Sequence, residues 1–323
     1  MAPRVPVGSM GGMWISTTQH RTRPALAGLV GATVLATGLL PTRAAHAAAK
    51  PPVVKIVLHG NNAKITGAKG LKAGWLTLRL SATDAGYHDL YLGSARNGDP
   101  GPGGKAAAGP QGIRKSSGKA PTSGQSQSQA AIYGRNAAAA RTSERSALSL
   151  GGVRVTRARG VDLTVRLPAG TTVLFGEVGP LAELKASKGT NTSRPGGAHS
   201  TITEGADNVI HSPATLPRTG ALRISNTCPG DTRVHWITLN RLANGATKAS
   251  VAKWFGPDGL SGPDPFLESP VTGSFNPLSA GHSEYVAYRG LSRGRYALID
   301  TAVDETTGHV HAQDGSIRFI TVK

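Results

Sequence analysis

Apolar residues alternate with polar residues in short segments, and this period of two constrains the fold more than any other feature of the chain. Such an alternation places apolar side chains on one face of a β-strand and polar side chains on the other. Glycine and proline bound the segments, as they bound antiparallel strands. We expect strands at residues 53–58, 75–80, 161–167, 221–224, 234–239, 284–288, 295–299 and 316–322.

One segment, residues 247–255, has the spacing of a helix instead. Val251, Trp254 and Phe255 are placed to bury one helical face, and Gly256-Pro257 follows as a stop signal. The sequence therefore predicts an all-β chain with one short helix, which lies in its second half.

The N-terminus has the pattern of an export signal. Arg21 and Arg23 precede an apolar run at 25–40, and an alanine-rich stretch with a cleavage pattern follows. The run has 16 residues, fewer than the roughly 18 to 20 that a membrane-spanning helix needs, so retention as an anchor is the weaker alternative. We expect residues 1–48 to be removed and the mature protein, without a transmembrane segment, to be extracellular or associated with the cell wall.

The length left after cleavage suits two domains. Removing 48 of 323 residues leaves 275, and domains of about 100 to 130 residues are common. We expect a first domain at 49–185, a linker at 186–200 rich in Gly, Ser, Thr and Asn, and a second domain at 201–323. The stretch at about 98–147 lacks a sustained apolar face and is expected to be a disordered insertion in the first domain.

The two predicted domains repeat one order of features. Gly74 begins a strand and is followed, 14 residues later, by His88 in an alternating segment. Gly220 begins a strand in the second half, and His235 follows it after 15 residues in a similar segment. Two copies of one sandwich explain this repetition.

The chain is strongly basic. Its formal net charge is +18, and removing the four arginines of residues 1–48 leaves +14. Such a protein is attracted to polyanions through sequence-independent forces that salt weakens. The charges are spread singly along strands, so we expect anionic cell-wall polymers as partners and no specific nucleic acid.

Cys228 is the single cysteine, so the chain contains no internal disulfide. We interpret it as a small buried apolar residue. An intermolecular disulfide, which would make a dimer, and a thiolate bound to a metal are the alternatives.

Four segments of the second half together resemble a known family: 220–226, 235–242, 291–298, and 308–312 with its Gly-His-Val-His-Ala sequence. They resemble the duplicated cupredoxin-like proteins secreted by high-GC Gram-positive bacteria, whose fold is related to plastocyanin and azurin. The resemblance covers nearly all of the mature chain. It implies two cupredoxin-like antiparallel β-sandwich domains.

The resemblance also implies where copper would bind. In copper-carrying relatives a His lies at the position of His235, a Cys at Asp300, a His at His311 and a Met at Ser316. Both sulfur ligands are therefore missing here, and a blue-copper centre needs the thiolate. We expect no resident cofactor. The alternative is a copper or zinc site made of imidazole and carboxylate ligands from His235, His309, His311 and Asp300.

Catalytic motifs of the common hydrolases and nucleotide-binding enzymes do not occur in the sequence. Asp300, Asp304, Glu305 and His311 lie in one segment and could form an acid/base group, but acidic residues beside glycine are common turn formers. We therefore predict a secreted, non-catalytic binding or structural protein of the cell envelope. A Cu(II)- or Zn(II)-binding protein that uses histidines of the second domain is the alternative.

Overall fold

The computed structural model describes residues 50–95, 147–157, 159–176, 179–193, 195–230, 233–256, 263–268, 271 and 277–323. The expected signal peptide, 1–48, lies outside these ranges, and so does the expected insertion at 98–147 apart from its last residue. Within the described ranges, no helix is both long and apolar enough to cross a membrane.

The described residues are nearly all β, as predicted. The first half contains β1 Val53–His59, β2 Asn62–Thr66, β3 Lys72–Ala82, β4 Tyr87–Ala95, β5 Ala147–Thr156, β6 Val161–Leu167, β7 Gly170–Gly176 and β8 Gly179–Asn191. The second half contains β9 Ser200–Glu204, β10 Ile210–His211, β11 Thr215–Leu216, β12 Gly220–Asn226, β13 Val234–His235, β14 Ile237–Leu242, the helix α1 Lys248–Trp254, β15 Phe266–Glu268, β16 Leu278–Ser279, β17 Ser283–Tyr288, β18 Gly294–Asp300 and β19 Ile317–Val322.

The alternation in the sequence determines which face of each strand is buried. In β3, Leu76, Leu78 and Leu80 are buried while the intervening residues lie nearer the solvent. The polar face and the apolar face of this strand thus follow directly from the period of two.

The helix α1 forms where its spacing predicts it. Thr247 caps its N-terminus: the Thr247 hydroxyl accepts a hydrogen bond from the Ser250 backbone N–H at 3.1 Å, and the Ser250 hydroxyl accepts one from the Thr247 backbone N–H at 3.0 Å. Val251 is fully buried under the helix. The prediction of one short helix in the second half is confirmed for the described residues.

The strands of both halves pair in the same order. In the first half β1 pairs with β3 in parallel, and β3 pairs with β6 in antiparallel orientation. In the second half β9 pairs with β12 in parallel, and β12 pairs with β17 in antiparallel orientation. A second set of antiparallel pairs joins β4 to β7 and β7 to β8, and likewise β14 to β18 and β18 to β19.

Strands from the two halves also pair with each other. Thr164 of β6 lies opposite Tyr285 of β17 in an antiparallel ladder. Leu150 of β5 lies opposite Leu278 of β16, and the backbone N–H of Ser149 donates to the hydroxyl of Ser279 at 2.9 Å. Buried apolar side chains of both halves accordingly form one contiguous cluster.

A buried carboxyl lies at this junction. Glu284 of β17 is fully buried, and its Oε2 accepts a hydrogen bond from the backbone N–H of Gly152 at 2.8 Å. Burial raises the pKa of Glu284 well above its ordinary value, and the Gly152 bond opposes this only in part. Gly151 has a φ of +111°, and a Cβ there would clash with Oε2 of Glu284, so only glycine fits.

The first six residues of the expected linker belong to β8. Lys72 of β3 lies opposite Ser187, and Gly74 lies opposite Asn191, in a parallel ladder with an irregularity between them. The Asn191 side chain also donates to the Trp75 carbonyl oxygen at 2.8 Å. Backbone pairing, which does not depend on apolar side chains, holds this polar segment in a strand.

Candidate functional site

Three polar side chains meet in the interior of the second half. His235 ends β13, Asp300 ends β18, and His311 lies in the turn that follows β18. The Nδ1 atoms of His235 and His311 lie 2.7 and 2.6 Å from Oδ2 of Asp300. His235 is 2 % exposed, His311 4 % and Asp300 0 %. The structure thus brings together three of the four residues expected to bind a metal.

Backbone hydrogen bonds hold the turn against the end of β18. The N–H of His311 donates to the carbonyl of Ala302 at 2.9 Å, and the N–H of Ala312 donates to the carbonyl of Asp300 at 3.0 Å. The N–H of Asp300 in turn donates to the carbonyl of Ser316 at 3.1 Å. The His311 ring is therefore positioned by the backbone of its own loop.

Asp300 accepts four hydrogen bonds. Oδ2 accepts the two from the imidazoles, and Oδ1 accepts one each from the backbone N–H groups of Trp236 and Ala302, both at 2.8 Å. An ionised carboxylate only accepts, so each ring donates its Nδ1–H. The two oxygens of a carboxylate offer about four acceptor positions, and these four donors use them all.

The charges of the cluster follow from these contacts. Burial alone raises the pKa of Asp300, but the positive His311 and the hydrogen bonds from both rings outweigh it and hold the pKa below its usual range. Burial lowers the pKa of His311, yet attraction to Asp300 outweighs this and leaves that pKa raised. Asp300 and His311 therefore form a buried ion pair.

Glu204 adds a second carboxyl to the cluster. It ends β9, it is fully buried, and its Oε1 accepts a hydrogen bond from the Ser316 hydroxyl. Its Oε2 lies 3.5 Å from Nδ1 of His235 and has no hydrogen-bond partner among the described groups. Burial, followed by the negative charge of Asp300, raises the pKa of Glu204 to about 10. Glu204 is therefore protonated near neutral pH, and the cluster contains one carboxylate rather than two.

Cys228 lies on the other side of the His235 ring. The expectation of a buried cysteine is confirmed, and its Sγ lies 3.2 Å from Nε2 of His235. Burial, ahead of the nearby charges, raises the pKa of the Cys228 thiol. A hydrogen bond therefore joins the thiol to this ring nitrogen. Cys228, His235 and Asp300 thus form one hydrogen-bonded chain.

His309, the fourth expected ligand, lies apart from the other three. Its side chain is 39 % exposed, and its Nδ1 lies 3.6 Å from a carboxylate oxygen of Asp314. Asp304 shapes its own turn, because its Oδ1 accepts from the backbone N–H groups of Thr306 and Thr307 at 2.8 and 2.7 Å. Asp304 thus acts as a turn former, as its sequence context predicts, and its Oδ2 lies 4.0 Å from Nε2 of His311. Asp300 is instead fully buried.

The residue types of the cluster fit a metal ion better than its present geometry does. The possible ligand atoms of His235, Asp300 and His311 lie within 4.8 Å of one another, and two imidazoles with a carboxylate suit Zn(II) or Cu(II). Metal bonds of about 2.0 to 2.1 Å place neighbouring tetrahedral ligands about 3.3 Å apart. The Nδ1 to Oδ2 distances of 2.6 and 2.7 Å are instead those of hydrogen bonds. A metal bound through both Nδ1 atoms would therefore have to displace the two ring protons and move Asp300.

Sequence reasoning missed Glu204, although the alternation contained a signal. Ile202 faces the core in β9, so a period of two turns Glu204 inward as well. Glutamate is rarely fully buried, and a strand-end acid is usually interpreted as solvated. Glu204 can be recognised as a member of the cluster only in the structure, where it contacts the Ser316 hydroxyl and lies near the His235 ring.

The equivalent region of the first half is simpler. His88 lies at the start of β4, and its Nε2 lies 2.8 Å from Oδ1 of Asp84 in the preceding turn. The hydrogen bond with His88 is the main cause of the lowered pKa of Asp84. Asp84 also accepts a hydrogen bond from the backbone N–H of Gly60 at 3.2 Å, so this pair lies near the surface and involves one imidazole.

Comparisons with known proteins gave structural similarity only. No family model matches the chain, and no curated protein matches its sequence. Reduced auracyanin from Roseiflexus castenholzii is 19 % identical, covers 39 % of this chain and 99 % of its own, and has a TM-score of 0.26. Auracyanin B is 19 % identical over 40 % of this chain and 93 % of its own, with a TM-score of 0.26. An azurin, Az-iso2 from Methylomonas sp. strain J, is 14 % identical over 38 % of this chain and 94 % of its own, with a TM-score of 0.24. At this level of similarity no ligand or activity is carried over to this chain.

Proposed function

We propose that this chain is a secreted, non-catalytic binding or structural protein of the cell envelope, and that Asp300 takes the place that a cysteine ligand holds in copper-carrying relatives. The observation that carries the proposal is the complete hydrogen bonding of Asp300. Four donors fill its acceptor positions, including both imidazoles. A carboxylate so satisfied needs no ion to hold the two rings together.

The same proposal describes the fold as two cupredoxin-like sandwiches that arose by duplication. Its support is the repeated order of strand pairing. In each half one strand, β3 or β12, pairs in parallel with an earlier strand and in antiparallel orientation with a later strand. The sequence correspondence of Gly74 and His88 with Gly220 and His235 supports it independently.

The proposed partner is an anionic polymer of the cell wall. Its support is the net charge of +18 over the whole chain, of which +14 stays after removal of the four arginines of residues 1–48, together with the export signal at the N-terminus. Sedimentation of the mature protein with purified cell walls, across a salt series, tests this function. We expect retention at low salt that falls steeply as salt rises. Absence of retention at low salt, or retention indifferent to salt, contradicts the proposal.

Export has its own test. Expression of the full chain in a Gram-positive host should place a product that starts near residue 49 in the medium or the wall fraction. The intact mass of that product gives the cleavage position. A full-length chain confined to the cytoplasm contradicts the secreted function.

Metal binding is the second candidate, because His235, His311 and Asp300 have suitable donor atoms within 4.8 Å of one another. Equilibrium dialysis against micromolar Cu(II) or Zn(II) separates the two proposals. The first predicts no stoichiometric uptake by the wild-type protein. One bound equivalent, lost in both His235→Ala and His311→Ala and retained in the control His309→Ala, supports the metal-binding function instead.

A further inference from the structure

Basic and aromatic side chains from both halves lie together on the outer face of the sheet, where β6 pairs with β17. Trp75, Arg166, Arg223, Ser283 and Tyr285 are here called the seam surface. Trp75 lies opposite Arg166, and Arg223 lies opposite Tyr285, in antiparallel ladders. Residues opposite each other in a ladder share a face of the sheet. The junction between the halves therefore presents one surface to which each half contributes.

The seam surface carries positive charge. Arg166 and Arg223 are both exposed. The Arg223 guanidinium donates to the hydroxyl of Ser283 at 3.3 Å, which directs it toward β17. Asp162, the acidic residue of this face on β6, already accepts two hydrogen bonds from Arg79 at 3.0 and 3.1 Å. The two exposed arginines thus dominate the local field.

The spacing of these charges suits a chain of anions. Tyr285 lies opposite Arg223 on one side and opposite Thr164 on the other, and Arg166 is two residues further along β6. With strands about 4.8 Å apart and a rise of about 3.3 Å per residue, the two arginine Cα atoms lie about 12 Å apart. This separation favours a partner with successive charges along a backbone over a single small anion. Arginine forks bind phosphate groups in two-point contacts.

An aromatic pair lies beside the arginines: Tyr285 is on the strand between them, and Trp75 is on β3, on the far side of Arg166. The rings of Trp75 and Tyr285 meet edge to face, with centroids 5.4 Å apart and an interplanar angle of 81°, and both side chains are half-buried. Stacking of nucleic acid bases needs open ring faces. In an edge-to-face contact the edge of one ring covers part of the face of the other. The remaining ring surface has less room for a flat base than for the C–H groups of a polyol or sugar unit.

We infer that the seam surface binds a phosphodiester-linked polyol polymer, with phosphates at Arg166 and Arg223, the intervening polyol against Tyr285 and a neighbouring unit against Trp75. This inference rests on the proposed adhesion to anionic wall polymers and deepens it. It assigns the partner a phosphodiester backbone and places the contact at the junction of the two halves. Both halves are then required for one binding surface.

Binding of fluorescently labelled poly(glycerol phosphate), measured by anisotropy between about 50 and 200 mM salt, tests the inference. The seam variant is Arg166→Gln/Arg223→Gln. The matched control is Arg289→Gln/Arg293→Gln, which removes the same charge from two exposed arginines off the seam. We expect the seam variant to bind at least about tenfold more weakly, with a slope of log affinity against log salt that is shallower by about 1.5. The control should stay within about threefold of wild type.

Each other outcome has a definite meaning. Equal losses in the two double variants overturn the seam surface while leaving adhesion to the polymer in place. Failure of the wild-type protein to bind the polymer at low salt overturns both the inference and the proposed adhesion. Tighter binding of an oligo(dT) strand with the same number of phosphates overturns the assignment of a polyol partner.

Discussion

Replacing Glu204 by glutamine tests the charge state of the buried cluster. The folded protein holds the proton of Glu204 up to a pKa of about 10, whereas the ordinary value is 4.5. A raised pKa stabilises the fold fully below the unfolded value, and that contribution is lost as the pH rises through the folded value. Glutamine resembles the protonated carboxyl and can still accept the Ser316 hydrogen bond. Its contribution, unlike that of Glu204, does not change with pH.

The magnitude follows from proton linkage. Above pH 4.5 the unfolded wild-type chain releases a proton that the folded protein keeps. The wild type should therefore lose stability relative to Glu204→Gln by up to about 1.4 kcal/mol per pH unit. Between pH 5 and pH 7 the difference in the free energy of unfolding should shift by at most about 2.7 kcal/mol in favour of the variant.

Urea unfolding at pH 5, 6 and 7 measures this difference. Glu183→Gln is the matched control, because the Glu183 side chain is 58 % exposed, and its difference from wild type should not change with pH. A Glu204→Gln difference that stays constant over the range, or that moves in favour of the wild type as the pH rises, refutes a protonated Glu204.

Three further predictions concern single groups. Gly151→Ala should cost at least about 2 kcal/mol in urea unfolding, because its Cβ would meet the Glu284 carboxyl group; a loss below about 0.5 kcal/mol contradicts the packing described. Cys228 is 4 % exposed, so it should react slowly with a thiol reagent in the folded state, and the protein should migrate as a monomer on non-reducing gels. A rapid reaction or a disulfide dimer would argue against its burial. His311→Asn should lower the free energy of unfolding by the largest amount below pH 6.5, and this loss should shrink as the pH rises through the raised folded pKa of His311. A loss that grows with pH would mean that the His311–Asp300 ion pair is absent.

The strands could be predicted from the sequence because alternation has a direct physical cause. A half-buried strand must place every second side chain in the core, as Leu76, Leu78 and Leu80 do in β3. The polar end of β8 carries no such signal. Its backbone pairs with β3 through Ser187 and Asn191, and only the fold reveals that partner.

The cluster could be predicted only in part. The resemblance to cupredoxin-like proteins pointed to His235, Asp300 and His311, and the structure brings these three residues together. His309 carries the same donor atoms, but the turn directs it to the surface beside Asp314. The contact between Cys228 and His235 joins a turn to a strand, and the sequence gives no spacing rule for such a pair.

The hydrogen-bonded role of Asp300 can be measured directly by 15N-resolved NMR of the imidazoles, without metal and with one equivalent of Zn(II). The account predicts that His235 and His311 each carry a proton on Nδ1, that these protons exchange slowly with water, and that Zn(II) leaves both signals unchanged. Loss of both Nδ1 protons with stoichiometric Zn(II) would contradict it, because the two rings would then be metal ligands rather than donors to Asp300.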